Sequence, residues 1–188
     1  MMEQDNKELD TSKDRINYAG RCGLLVGGMW IVAFLCSMYS TRNPFIGITS
    51  NTVALLSLYV LFVIVVRYRA FIAPLGFFGC FKVAWFTCIF AGLLTTLGQY
   101  FYLSFLDKGH FLGTMTELLK SDQYAQMMKQ AAPGIDPKEM AKILGNIHMS
   151  DLILVMLQLN FFISIPMALI AAIFGRLKNV EKFNRPNE

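Results

Sequence analysis

The chain has 188 residues, 55% of them apolar, with 17 Lys and Arg against 13 Asp and Glu for a net charge of +4. No basic cluster alternates with exposed aromatics, so the positive balance excludes a nucleic-acid surface and reads as a topology signal. The charges are kept out of four long apolar runs, which excludes a soluble domain and predicts an all-α membrane protein with four transmembrane helices.

In chain order, residues 1–18 form a polar leader with Lys7, Lys13 and Arg15. The first span, about 19–39, contains GLLVGGMWIVAFLCSMY after Arg21. It follows a charged leader and has no small-residue cleavage site after Tyr39, so it is read as a retained span rather than a signal peptide. Ala19, Gly23 and Gly27 recur every four residues and predict a close helix contact. A short turn around Asn43-Pro44 leads to the second span, about 51–66, closed by Arg67 and Arg69. The aromatic, glycine-rich stretch from Tyr68 to Lys82, with Phe71, Phe77, Phe78 and Phe81, is expected to lie along the membrane interface.

The third span, about 82–106, is interrupted by polar side chains. On a helical wheel, Cys88, Ala91, Gly92, Thr95, Gly98, Gln99 and Tyr102 share one sector. The fourth span, about 151–175, answers with Asn160, Ser164, Ala168, Ala171 and Gly175 near one face and a kink expected at Pro166. Gln99 and Asn160 lie at similar depth, about 10–14 Å from the same boundary at the helical rise. The pair Gln99–Asn160, or both bonded to Thr95, is therefore expected to tie spans three and four together. A hydrogen bond of this kind contributes about 0.6–2 kcal/mol and fixes which faces meet. The same residues, with Tyr102 and Ser164, could instead line a pocket for a lipid headgroup or small solute.

Between these spans lies a loop over 107–150, predicted to hold two short amphipathic helices. The first is expected over TMTELLKSDQYAQMMKQ, with Thr114 and Glu117 in capping-box spacing and Leu118, Leu119, Met127 and Met128 as apolar contacts. The second follows Asp136 as cap, with Pro137 at the first helical position, Glu139 in box spacing, and Ile135, Met140, Ile143, Leu144 and Ile147 on its apolar side. The loop either lies on the membrane surface or acts as a docking element or lid.

At the loop's two ends stand Asp107 and His110, then His148 and Asp151. If spans three and four are antiparallel neighbours, these four are candidate ligands for a divalent metal, which would permit a metal-dependent envelope enzyme. The plainer reading makes Ser150 or Asp151 a helix cap and leaves the histidines solvated. Phosphate-loop, GxSxG and HExxH templates are missing from the sequence, and neither a metal nor any other cofactor is expected. The charge-free runs 23–39, 52–66, 83–106 and 152–174 within these spans contain no Asp, Glu, Lys, Arg or His, which argues against a proton- or ion-driven transporter. Cys22, Cys36, Cys80 and Cys88 lie in or beside the spans with no CxxC pair, so neither a disulfide framework nor a zinc knuckle is expected.

Lys and Arg gather in the amino-terminal leader, in the segment between spans two and three (Arg67, Arg69, Lys82), and in a tail over 179–188 with Arg176 and Lys178 just before it. The other side receives Arg42 and five lysines offset by acidic residues along the long loop. Both termini are thus expected on the cytoplasmic side.

The glycine-rich first span, the Asn43-Pro44-Phe45 turn, GFFGCFKVAWF at the entry to span three, QYFYLSFLD at its exit and the methionine-rich loop together form a familiar layout. From about Ile16 to Lys178 the chain resembles the small bacterial inner-membrane family named domain of unknown function 4199. The resemblance implies four helices and a bacterial inner-membrane location, and it transfers no activity or site residues. The expected role is a non-catalytic accessory or anchoring subunit for an envelope component such as a membrane glycosyltransferase, the latter by analogy alone. The alternatives are a lipid or small-solute binding or transport protein and the metal-dependent enzyme above. Membrane lipids and an envelope protein are the expected partners, with a homo-oligomer allowed.

Overall fold

The computed structural model describes residues 2–40, 44–71, 75–121, 124, 126–127 and 136–177, with side chains described from residue 12 and, in the second helix, from residue 45. The helices are α1 (Met2–Tyr39), α2 (Pro44–Phe71), α3 (Phe77–Phe101), α4 (His110–Lys120), α5 (Pro137–Gly145) and α6 (Met149–Leu177). A single π-helical turn, Tyr102–Leu106, follows α3. Among the described residues there is no strand. Stretches Ser12–Tyr39, Phe45–Phe71, Phe77–Leu106 and Met149–Leu177 are each long and apolar enough to cross a bilayer, so the protein is an all-α membrane protein.

Every span is longer than the charge-free runs predict. The polar leader continues α1 as helix back to Met2. The stretch expected to lie along the interface is mostly absorbed into helices: α2 runs on to Phe71 and α3 starts at Phe77. A helix does not stop where the apolar run stops, because every backbone N–H and C=O near the membrane still needs a partner. Residue 43 of the expected first turn, Met128, Ile135 and the tail from residue 178 lie outside the described residues.

The chain forms two compact units, residues 1–97 with 157–188, and residues 98–156. In the first, α1 and α2 make a hairpin tied at three depths. The Tyr18 hydroxyl donates to the Ile64 carbonyl at 3.2 Å, Trp30 Nε1 donates to Ser57 Oγ at 3.0 Å, and Ser50 Oγ donates to the Ala33 carbonyl at 2.7 Å. Small residues then bring the backbones together. A Cβ placed on Gly23 would stand 2.6 Å from Phe90 Cβ, and one on Gly27 would stand 2.9 Å from the Ala91 carbonyl oxygen. The predicted glycine face of span one therefore packs on α3. On the far side, a Cβ on Gly175 would stand 2.7 Å from Val65 Cγ1, so α6 approaches α2 equally closely.

The core of this unit is made of Leu61 and Val65 from α2, Cys80, Ala84 and Cys88 from α3, and Ala168, Ala171 and Ala172 from α6. Without water to drive apolar side chains together, such helices associate through close van der Waals contact, which small residues permit. The aromatics Phe81, Trp85 and Phe161 extend this core, with the rings of Trp85 and Phe161 edge to face at 6.0 Å. Pro166 sits within α6, which continues through it to Leu177.

The second unit begins in the last turn of α3. After the π-helical turn, Lys108 and Gly109 take positive φ values of 50° and 83° and break the helix. α4 starts directly afterwards and packs against α5. The box at Thr114 and Glu117 is a misreading, since α4 begins four residues earlier with Gly109 at its cap position. A first-turn N–H, that of Phe111, is satisfied instead by Asp107 Oδ2 at 2.8 Å. In α5 the predicted cap stands: the Asp136 side chain accepts from Lys138 N at 2.9 Å, and Pro137 takes the opening position.

Candidate functional site

The polar residues of span three were expected on one face. Within the first unit they divide between two neighbouring helices. Thr95 donates its hydroxyl to the Ala91 carbonyl at 2.8 Å and to the Gly27 carbonyl at 3.3 Å, facing α1. Thr96, one residue and about 100° further round, accepts from the Asn160 amide at 3.0 Å, facing α6. Asn160 thus bonds Thr96, a residue outside the expected set of Gln99 and Thr95. Thr96 was missed because the wheel was drawn around a single sector, whereas α3 is a central helix with neighbours on both sides. The Thr-Thr pair was the available signal.

Ser164 is fully buried and donates to the Asn160 carbonyl at 2.7 Å, one turn back on its own helix. That bond satisfies a hydroxyl that would otherwise be bare in hydrocarbon. Gln99 and Tyr102 belong to the second unit, where Gln99 is buried and Tyr102 opens the π-helical turn by accepting from Asp107 N at 2.9 Å.

Beside the Asn160–Thr96 contact, α3 and α6 enclose a groove of about 680 Å³. Ile89, Gly92 and Leu93 line one wall and Leu157, Phe161 and Phe162 the other. Its polar lining is sparse: Cys88, Gln158, Asn160 and Ser164. Asn160 and Ser164 are drawn inward, whereas Gln158 is exposed. The sequence reading passed over Gln158 because Asn160, two residues on, matched the small-residue face.

The four candidate metal ligands are not brought together as a set. Asp107 is engaged with Phe111 N, and His110, exposed, opens α4. The His148 carbonyl accepts from Asp151 N and Leu152 N at the start of α6, while its side chain and that of Asp151 are exposed. Among the described residues, no group of three or more His, Cys, Asp or Glu is placed to hold a metal ion. Cys22, Cys36, Cys80 and Cys88 are free thiols, the last two buried.

A further contact of the first unit was not foreseen. Arg69, near the end of α2, donates to the carbonyls of Gly175 and Arg176, the latter at 3.0 Å. A guanidinium there satisfies carbonyls at the end of α6 and complements the negative end of the helix dipole.

The profile of the family described as protein of unknown function (DUF4199) matches residues 21–176. The chain belongs to that family. The match takes in spans two and three, the α4–α5 loop, the first span from residue 21 and the fourth up to residue 176, so most of the features described above lie within the DUF4199 region. No curated protein and no solved structure matches the chain.

Proposed function

We propose that this DUF4199 protein is a non-catalytic accessory or anchoring protein of a bacterial inner membrane, holding α4 and α5 outside the bilayer to bind another envelope component. The observation that carries this reading is the surface of the α4–α5 pair. The two helices pack together and Leu119 and Ala141 are buried, yet Met115, Leu118, Met140 and Ile143 stay exposed, Ile143 at 67%. Flexible methionines mixed with aliphatic side chains suit a surface that receives a protein partner. The polar groups within the spans support the same reading, because Thr95, Thr96 and Asn160 are engaged in joining helices and the Ser164 hydroxyl is bonded back along its own helix. The distribution of Lys and Arg favours cytoplasmic termini, which puts α4 and α5 on the opposite side.

The test is a mild-detergent extraction of the tagged full chain, followed by mass spectrometry of what comes with it. A stoichiometric protein that is lost when Met115, Leu118, Met140 and Ile143 are replaced by Ser, with helical content unchanged, is the expected result. If the same variant instead only lifts α4 and α5 from the lipid surface, seen with an environment-sensitive fluorophore, and no partner is lost, the proposal fails.

A further inference from the structure

The fourth span is the least enclosed of the four. Only 11% of its apolar window is buried within the chain, against 39% for span three. On that open surface stands Gln158, nine residues beyond Met149 and so about 14 Å along the helix from its start. Its amide is exposed and has no hydrogen-bond partner among the described residues. In hydrocarbon an amide without a partner costs several kcal/mol, and acyl chains offer it nothing.

The pattern around Gln158 indicates what covers it. Gln158, Phe162, Ile165 and Leu169 follow one another at spacings of four, three and four, the rhythm of a helix–helix seam. Phe162 is 68% exposed and Leu169 38%. Gln158 and Phe162 also border the groove of about 680 Å³ between α3 and α6, which leaves room for side chains from outside. An amide offers two N–H donors and a carbonyl acceptor, so it is complementary to itself. A second copy related by a two-fold axis along the membrane normal presents the same amide at the same depth, and the two can exchange N–H···O bonds reciprocally.

We infer that the exposed face of the fourth span is a homodimer interface, with Gln158 of each copy bonded to Gln158 of the other and Phe162 seated in the neighbouring groove. This interface is separate from the α4–α5 surface and does not depend on the accessory role.

The experiment uses the full chain fused to fluorescent donors and acceptors in lipid bicelles, diluted progressively with lipid. A dimer is expected, and Gln158→Leu should weaken it by about three- to thirty-fold, the range of one to two interhelical hydrogen bonds. A photo-crosslinking residue at Phe162 should join two copies, whereas one at Tyr59, exposed on α2, should not. The crosslinking comparison needs no change at Gln158, so a folding defect in that variant leaves the result intact. Energy transfer that never rises above the monomer level overturns the inference, as does a dimer unmoved by Gln158→Leu or joined through Tyr59. A monomer that retains a lipid, and loses it on Gln158→Leu, overturns it equally and makes the groove a lipid site.

Discussion

The side-chain amide of Asn160 donates to the hydroxyl of Thr96 at 3.0 Å, joining α6 to α3 in the middle of two apolar helices. The residue just before it, Thr95, reaches the opposite way to the Gly27 carbonyl of α1. A 100° step along one helix thus converts two adjacent threonines into fasteners for two different neighbours. Replacing Asn160 with Leu and Thr96 with Val, singly and together, should reveal a coupling of about 0.6–2 kcal/mol in a double-mutant cycle of unfolding in detergent. Additive single effects would mean that the bond fixes nothing.

The close approach of α1 to α3 predicts a sharp contrast among neighbouring glycines. A methyl group at Gly27 would meet the backbone oxygen of Ala91 at 2.9 Å, whereas one at Gly28 meets nothing within 4 Å. Gly27→Ala should therefore destabilise the bundle by about 1–3 kcal/mol through overpacking. Gly28→Ala should be neutral or slightly stabilising through helix propensity. Thermal unfolding of the two variants side by side checks this, and equal melting temperatures would refute it.

Arg69 holds the end of α6 by donating to the Gly175 and Arg176 carbonyls. Arg69→Ala should fray that last turn, at a cost of about 1–2 kcal/mol for charge-assisted bonds at a helix terminus. Faster hydrogen–deuterium exchange confined to peptides covering Ile173–Leu177 is the expected readout. Lysine should restore only part of the protection, because its single ammonium lacks the planar fork of the guanidinium.

Asp107 and the histidines near it should separate cleanly. Asp107→Ala removes the acceptor of Phe111 N and should loosen the start of α4 by about 1 kcal/mol, visible as faster exchange there. His110→Ala combined with His148→Ala should leave both exchange and metal content, measured by elemental analysis of the purified protein, unchanged. A bound metal lost in that double variant would restore the metal reading.

The membrane architecture was legible in the sequence because it follows from local chemistry. Charge-free stretches of such length must satisfy their own backbone, and helices are the economical solution. The glycine face at Gly23 and Gly27, the small face from Ser164 to Gly175, and the Asp136 cap were legible for the same reason, each being a short-range pattern with one physical meaning. The start of α4 was not legible, because the Thr114–Glu117 spacing offers a plausible box while the chain breaks earlier, at the left-handed Gly109. Only tertiary structure decided that α3 has neighbours on two sides, which divides its polar residues between α1 and α6. It likewise decided that Arg69 meets the end of a helix 106 residues away in sequence, and that Gln158, close to Asn160 in the chain, faces outward. Periodicity gives the angle of each residue around its own helix; which angles are covered depends on where the other helices stand.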